Sequence, residues 1–411
     1  MKQSKITLLV SLSSALEYYD LIIYSLLANF ISQQFFPDAN RTAAIFATFA
    51  ILTLGNIIRP ISGTIMGILG DLFGRKKIFT NSMIWMAMAT LAMGLTPTFS
   101  TLGFLATLLF CLGRLIQTMA FGAMAPGAFT MLSEHIDRKK HGRHFGFLAS
   151  SMGLGVSLGS LVIWGLTKYL TNQAMVDWGF RVPFILGGLL SLFGYYLRKN
   201  LPETPEFIAA KKTADTLTPQ LVKNHVKPSI IAIGMLLFSA SLSTFKLTLP
   251  LFLQEYYNFS LADIYLTMTI SYLLANIVFK PVFGLLADYI GKKQLIIASS
   301  LVMLVGGLPM FSLLNYGTTS ALFTFIIFSQ IITSSIVVSC FSLLPKAFPT
   351  SIRYTGVGFS YNVAQLIAAF TPLIATYLCG VLKHHNYLAV IFMFLALVTI
   401  CSTILFKPIE E

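Results

Sequence analysis

The chain has 411 residues, of which 56% are hydrophobic and only 10% charged, with a net charge of +13 and a mean hydropathy of +0.78. A soluble domain carries about 25% charged residues, so this composition excludes a water-soluble protein with one large core and indicates an all-α integral membrane protein. The basic excess does not indicate nucleic acid, because it is distributed as the positive-inside rule expects of membrane loops. Arg75–Lys77, Arg138–Lys140, Arg143, Arg198–Lys199, Lys211–Lys212, Lys292–Lys293, Lys346 and Arg353 are expected on the cytoplasmic side, against Arg41, Lys168, Arg181 and Lys383 outside. This places the chain in the inner membrane with both termini in the cytoplasm. The cysteines, Cys111, Cys340, Cys379 and Cys401, lack paired short spacing and read as small apolar residues, not as a disulfide frame or metal site.

Apolar segments long enough to span a bilayer recur along the chain. The first, about residues 6–32, holds two acids, Glu17 and Asp20. They lie three apart and so share a helix face, in the company of Tyr18 and Tyr24. A carboxylate at mid-bilayer costs about 2.5–3.5 kcal/mol on insertion scales, so such a group is a functional candidate by default. At least one of the two is expected to carry a transported proton. The apolar run continues past Ala15 through both acids, which argues against a cleaved signal peptide.

The second span (42–69) contains Arg59-Pro60, and the third covers 78–98. The fourth (101–132) contains Arg114 and Gln117. Arg114 is expected to be a buried partner of the first-span acids, since unpaired charge inside a membrane is rare. The fifth span (144–171) carries Gly153, Gly155 and Gly159, which suit close helix packing, and the sixth covers 180–198. Residues 199–227 are polar and bear Pro202, Pro205 and Pro219, as a linker does. Six more spans follow at 228–256, 262–287, 293–314, 318–344, 354–380 and 387–406. The expected architecture is therefore two pseudo-symmetric six-helix bundles, 1–198 and 228–411, with a site between them.

A repeated loop supports the duplication. Gly67-Ile68-Leu69-Gly70-Asp71-Leu72-Phe73-Gly74-Arg75 after the second span matches Gly284-Leu285-Leu286-Ala287-Asp288-Tyr289-Ile290-Gly291-Lys292 after the eighth, and Arg59-Pro60 matches Lys280-Pro281. The first glycine of each copy allows helices to approach. The aspartate suits a helix N-terminus or an arginine, and the second glycine suits a tight turn. With Arg353, these residues form the expected gating set.

These motifs resemble those of the major facilitator superfamily, and Gly113-Arg114-Leu115-Ile116-Gln117 resembles its fourth-helix motif. Leu16-Glu17-Tyr18-Tyr19-Asp20, Trp178-Gly179-Phe180-Arg181-Val182-Pro183-Phe184, Leu201-Pro202-Glu203-Thr204-Pro205-Glu206-Phe207 and Phe348-Pro349-Thr350-Ser351-Ile352-Arg353 narrow the resemblance to its metabolite:proton symporter family, which includes proline/betaine and 2-oxoglutarate carriers. The resemblance implies proton-driven uptake of a small organic solute, with a monomer as the working unit. The sequence departs from the family pattern in three places. Met124 stands where relatives carry an acid, Lys280 stands where they carry arginine, and Lys246 in the seventh span has no typical counterpart.

Two intramembrane cations, Arg114 and Lys246, set against two acids favour a solute bearing a carboxylate. Tyr18, Tyr24, Tyr361 and Trp164 offer aromatic faces for a cationic group, and Gln117 and Asn362 offer hydrogen bonds. Lys246 is read either as a substrate ligand or as a cation reaching for the outer interface. A proton-driven exporter and a non-transporting sensor are the alternatives. No nucleophile–base pair, phosphate-cradling loop or cofactor motif is present, and the His384-His385 pair is not expected to bind metal.

Overall fold

The computed structural model describes residues 1–36, 41–212, 225–257, 259–382 and 386–409. The middle of the expected linker (213–224), Lys383 and the His384-His385 pair lie outside the described residues, as do the side chains of Arg41 and Cys379. Apart from turns of a few residues, the helices are α1 Gln3–Leu26, α2 Ala28–Phe35, α3 Arg41–Phe73, α4 Arg75–Leu95, α5 Phe104–His135, α6 His141–Tyr169, α7 Arg181–Lys199 and α8 Pro205–Lys212. They continue with α9 Val226–Tyr257, α10 Leu261–Leu274, α11 Lys280–Tyr289, α12 Lys292–Ser312, α13 Thr319–Leu343, α14 Arg353–Ala368, α15 Thr371–Leu382 and α16 Asn386–Leu405. Among the described residues 10 helices are long and apolar enough to cross a membrane, or 11 if the pair Asn172–Gly179 and Arg181–Lys199, bent by 44°, is one span. The 33-residue α3 occupies the place of the expected second span, which is consistent with twelve.

Three expected spans are not regular helices. The first breaks at Leu27 between α1 and α2. The eighth contains a π-helical stretch, Ala275–Phe279, between α10 and α11. The eleventh divides into α14 and α15.

The chain divides into two compact units. One comprises Met1–His135 with Ser151–Thr216, and the other Ile136–Ser150 with Leu217–Glu411. The first turns of α6 thus group with the second unit, rather than with the first half as the spans alone suggested. In the first unit α4 packs on α5 and α7, α3 on α5, and α1 on α7 and α5. In the second, α12 packs on α16 and α13, and α9 on α14 and α16. The glycines of α6 bring backbones together inside each unit. Gly155 lies on the Ala15 carbonyl of α1, and Gly142 and Gly146 lie on Gly284 and the Lys280 carbonyl of α11.

The repeated loop takes the same shape twice. Gly74 has φ 113° and ψ 138°, and Gly291 has φ 109° and ψ 138°. A side chain is strained at such φ, so glycine is required where each span turns into the next. The outer surface is rich in apolar side chains such as Ile61, Trp85, Phe104 and Val305, as expected of helices facing lipid.

Candidate functional site

The site is built on two matching helix stripes. On α1, Ser13, Glu17, Asp20 and Tyr24 recur at spacings of four, three and four, which keeps them on one face. On α7, Gly187, Ser191, Gly194 and Arg198 recur in the same way and are buried. The helices run in opposite directions. Ser13 accepts from Arg198 Nε at 3.0 Å, Asp20 meets Ser191, and the Tyr19 hydroxyl donates to the Pro183 carbonyl at 3.2 Å.

Glu17 forms an ion pair with Arg198, and neither side chain is exposed. Arg198 also donates to the Phe79 carbonyl at 2.7 Å and lies 3.5 Å from the centroid of the Phe79 ring. Glu17 is thus held as the anion of a buried pair. Arg198 was expected at the cytoplasmic surface as part of a loop run, but it is fully buried. Its planar fork finds three acceptors in the bundle, which suits a buried guanidinium.

Asp20 is equally buried but has no ion pair among the described residues. Ser191 donates to its Oδ2 at 2.6 Å and Thr90 donates to the same oxygen at 3.3 Å. The other oxygen, Oδ1, is buried without a hydrogen-bond partner. It lies where any side chain at Gly187 would sit, so this glycine makes room for the carboxyl group.

Arg114 does not pair directly with either acid, contrary to expectation. Its Nη1 donates to Gln117 Oε1 at 2.5 Å, Gln117 Nε2 donates to Thr90 Oγ1 at 2.7 Å, and Thr90 donates to Asp20. The cation therefore reaches Asp20 through two neutral side chains. Its guanidinium lies 4.2 Å from the Tyr24 ring centroid, a contact worth about 2 kcal/mol or more when desolvated. Tyr18 is half-buried and meets Phe121 edge-on at 5.5 Å. Trp164 faces outward, 57% exposed, with Lys168 5.0 Å from its ring, so it offers no aromatic face to this cluster.

In the second unit, Lys246 is buried and does not reach for the surface. Its Nζ donates to Ser329 O at 3.3 Å, Gln330 Oε1 at 2.9 Å and Thr333 Oγ1 at 2.8 Å. Lys280 donates to Asn276 Oδ1 at 2.6 Å and Ala149 O at 2.9 Å. Tyr361 is buried against Phe341, and Asn362 donates to the Gly358 carbonyl at 2.8 Å.

The residues of the expected gating set divide by unit. In the first, Asp71 pairs with Arg75 at 3.2 Å and Arg75 with Glu134 at 3.4 Å, all three buried. Arg75, expected as one of a run of bases on the cytoplasmic side, is buried between two acids, and Glu134 was not anticipated. Gly67 is buried in α3, and Arg59 lies 4.7 Å from the Phe121 ring centroid. In the second unit, Asp288 accepts from the backbone N–H groups of Gly142 at 2.6 Å and Arg143 at 2.9 Å. It thus takes the helix N-terminus, one of its two expected partners. Arg353 is buried and donates from Nε to the Phe348 carbonyl at 3.3 Å.

Arg198, Ser191, Thr90 and Gly187 are the site residues the sequence reading missed. The small-residue stripe of α7 was the available signal, since its spacing matches the acid-bearing stripe of α1 and ends on Arg198.

The model of the Major Facilitator Superfamily matches residues 10–270 and 231–411. This chain belongs to that superfamily. Among major facilitators, it is 29% identical over 381 residues to the glycine betaine/proline/ectoine/pipecolic acid transporter OusA of Dickeya dadantii, covering 90% of this chain and 76% of that protein. It is 28% identical over 389 residues to the proline/betaine transporter of Salmonella typhimurium, with the same coverage, and 29% identical over 397 residues to a putative proline/betaine transporter of Staphylococcus aureus, covering 92% and 82%. The solved XylE proton:xylose symporter aligns with a TM-score of 0.71 at 17% identity over 98% of this chain and 94% of its own. The human organic anion transporter MFSD10 aligns at 0.72 and 12% identity, over 98% and 100%. These structures share the major facilitator fold. The protein is a multi-pass membrane protein of a transporter superfamily, not an enzyme.

Proposed function

We propose that this major facilitator imports a small carboxylate-bearing osmolyte, of the proline or betaine kind, together with protons. It works as a monomer in the inner membrane with both termini in the cytoplasm. Asp20 is the proton carrier. The observation that carries this reading is the contrast between the two acids of α1: Glu17 is ion-paired with Arg198, whereas Asp20 is held by hydroxyl donors with no ion pair among the described residues, each acid leaving one oxygen without a hydrogen-bond partner. A buried pair resists loss of either charge. A buried carboxyl group with no cation in contact is the one that can change between anion and acid. The names of the relatives support the substrate class. Protonation of Asp20 with solute bound then permits the change from outward to inward access, by differential stabilisation of the two states. A potential of 100 mV supplies about 2.3 kcal/mol per net charge moved, about 1.6 decades of accumulation at about 1.4 kcal/mol per decade.

The test is uptake into proteoliposomes under an imposed proton gradient, with labelled betaine, proline, 2-oxoglutarate, citrate and shikimate. Accumulation of one of them with proton entry is expected, lost in Asp20→Asn. Accumulation by Asp20→Asn equal to the parent's rejects Asp20 as carrier. Proton-driven efflux from oppositely oriented vesicles would mark an exporter instead.

A further inference from the structure

The second unit contains a buried ammonium whose surroundings have a defined hydrogen-bond polarity. All three partners of Lys246 are acceptors. Ser329 contributes a carbonyl oxygen and Gln330 its amide oxygen. Thr333 already spends its hydroxyl proton on the Ser329 carbonyl at 2.6 Å, so toward Lys246 it can only accept. Three acceptors around Nζ are the arrangement that the three N–H donors of an ammonium satisfy.

Among the described residues, no carboxylate of this unit compensates that charge. Asp137 accepts from Lys139 N, Asp263 caps its own helix with Ser260, and Asp288 is engaged at Gly142, Arg143 and Lys292. A buried charge without a counter-ion is costly and marks a functional position in a membrane. A second observation concerns the amide next to it. Gln330 Nε2 is buried, and the neighbouring Tyr272 phenol is the group toward which this amide donates. The Lys246 ammonium and an amide N–H engaged only by a neutral phenol therefore adjoin each other.

We infer that Lys246, Gln330 and Thr333 form a binding site for the carboxylate of the transported solute. The inference deepens the transport reading above and rests on it. The incoming carboxylate takes the place of the Gln330 amide oxygen on Nζ. Half a turn of the amide then points its N–H at the second carboxylate oxygen, and Thr333 remains on the ammonium. The helix is built to release the lysine. Pro250 lies within α9, four residues after Lys246, and has no N–H for the Lys246 carbonyl to accept. The helix is thereby loosened at the residue whose side chain must change partners. No covalent step is involved, and the solute replaces neutral acceptors with the missing counter-charge.

The test uses the full chain in proteoliposomes, with labelled glycine betaine competed by choline, which shares its cationic head but has no carboxylate. The parent is expected to prefer betaine strongly, and Lys246→Met to raise the KM for betaine at least tenfold and abolish the preference. Gln330→Glu guards against misfolding in Lys246→Met. It places an intramolecular carboxylate on the ammonium, and is expected to fold with a melting temperature at or above the parent's while excluding betaine.

Parent-like KM and preference in either folded variant overturn the site and leave Lys246 as a structural cage only. A parent that carries choline as well as betaine overturns it too. A parent that transports none of the carboxylates, and whose melting temperature none of them raises, overturns both the site and the transport reading. Loss of coupling in Asp20→Asn with a parent-like Lys246→Met rejects this site alone.

Discussion

Arg198, in the last turn of α7, holds Glu17 of α1 in an ion pair with both side chains out of contact with solvent. The pair joins the two helices that carry Asp20 and its donor Ser191, three residues along α1 from Asp20. On the proposed reading, its role is to keep one acid charged and in place while the other titrates.

Breaking that pair from one side leaves an uncompensated buried charge. Arg198→Leu is expected to lower stability by about 3–5 kcal/mol. Combining it with Glu17→Gln recovers much of that loss, because the orphaned anion is removed. A thermal-melt double-mutant cycle in detergent measures the coupling, and additive losses would show that the two side chains do not interact.

Asp20→Asn preserves the shape of the side chain and removes its ionisation. Equilibrium exchange of solute across the membrane needs no net proton movement and is expected to continue in this variant, while accumulation driven by a pH gradient stops. Counterflow and gradient-driven uptake, measured on the same vesicles, separate the two. Loss of counterflow as well would assign Asp20 to solute binding rather than to proton coupling.

Gly187 has no side chain because the Asp20 carboxyl group occupies that space. Gly187→Ala is expected to displace the carboxyl group or the helix, at about 1–3 kcal/mol for an overpacked site, and to cut uptake more than expression. Gly165, with open space around it, serves as the control position. Equal effects at the two sites would remove the special role of Gly187.

Glu203 accepts from the backbone N–H of Lys76 through both oxygens, at 3.0 and 3.3 Å. It thereby caps α4, whose own N-cap residue, Gly74, has no side chain to do so. Glu203→Ala is expected to lower stability by about 0.5–2 kcal/mol with solute KM unchanged, as read by melting and uptake. A changed KM with unchanged melting would show that Glu203 acts on transport and not on the helix end.

Much of this was legible because it is local. Span length and hydropathy located the helices, and the duplicated loop announced two turns that need glycine. Glu17 and Asp20 stood out as acids in an apolar run. Their different fates were not legible, because they depend on what α4 and α7 place opposite them. Arg198 adjoins Lys199 at the end of a span, where a base ordinarily reaches water, and only the packing of α7 on α1 shows that it turns inward. Arg75 misled for the same reason, since its partner Glu134 lies in another helix. Arg114 is buried, as expected, yet its link to Asp20 passes through Thr90, a residue with no signal of its own.

That link also limits how Asp20 can exchange its proton. A chain of hydroxyls or waters can pass protons by hopping, but the Gln117 amide between Arg114 and Thr90 has no labile proton to hand on. The connection conveys electric field and ends as a wire. On the proposed reading, H⁺ therefore enters and leaves at the bare Oδ1, on the side that faces Gly187.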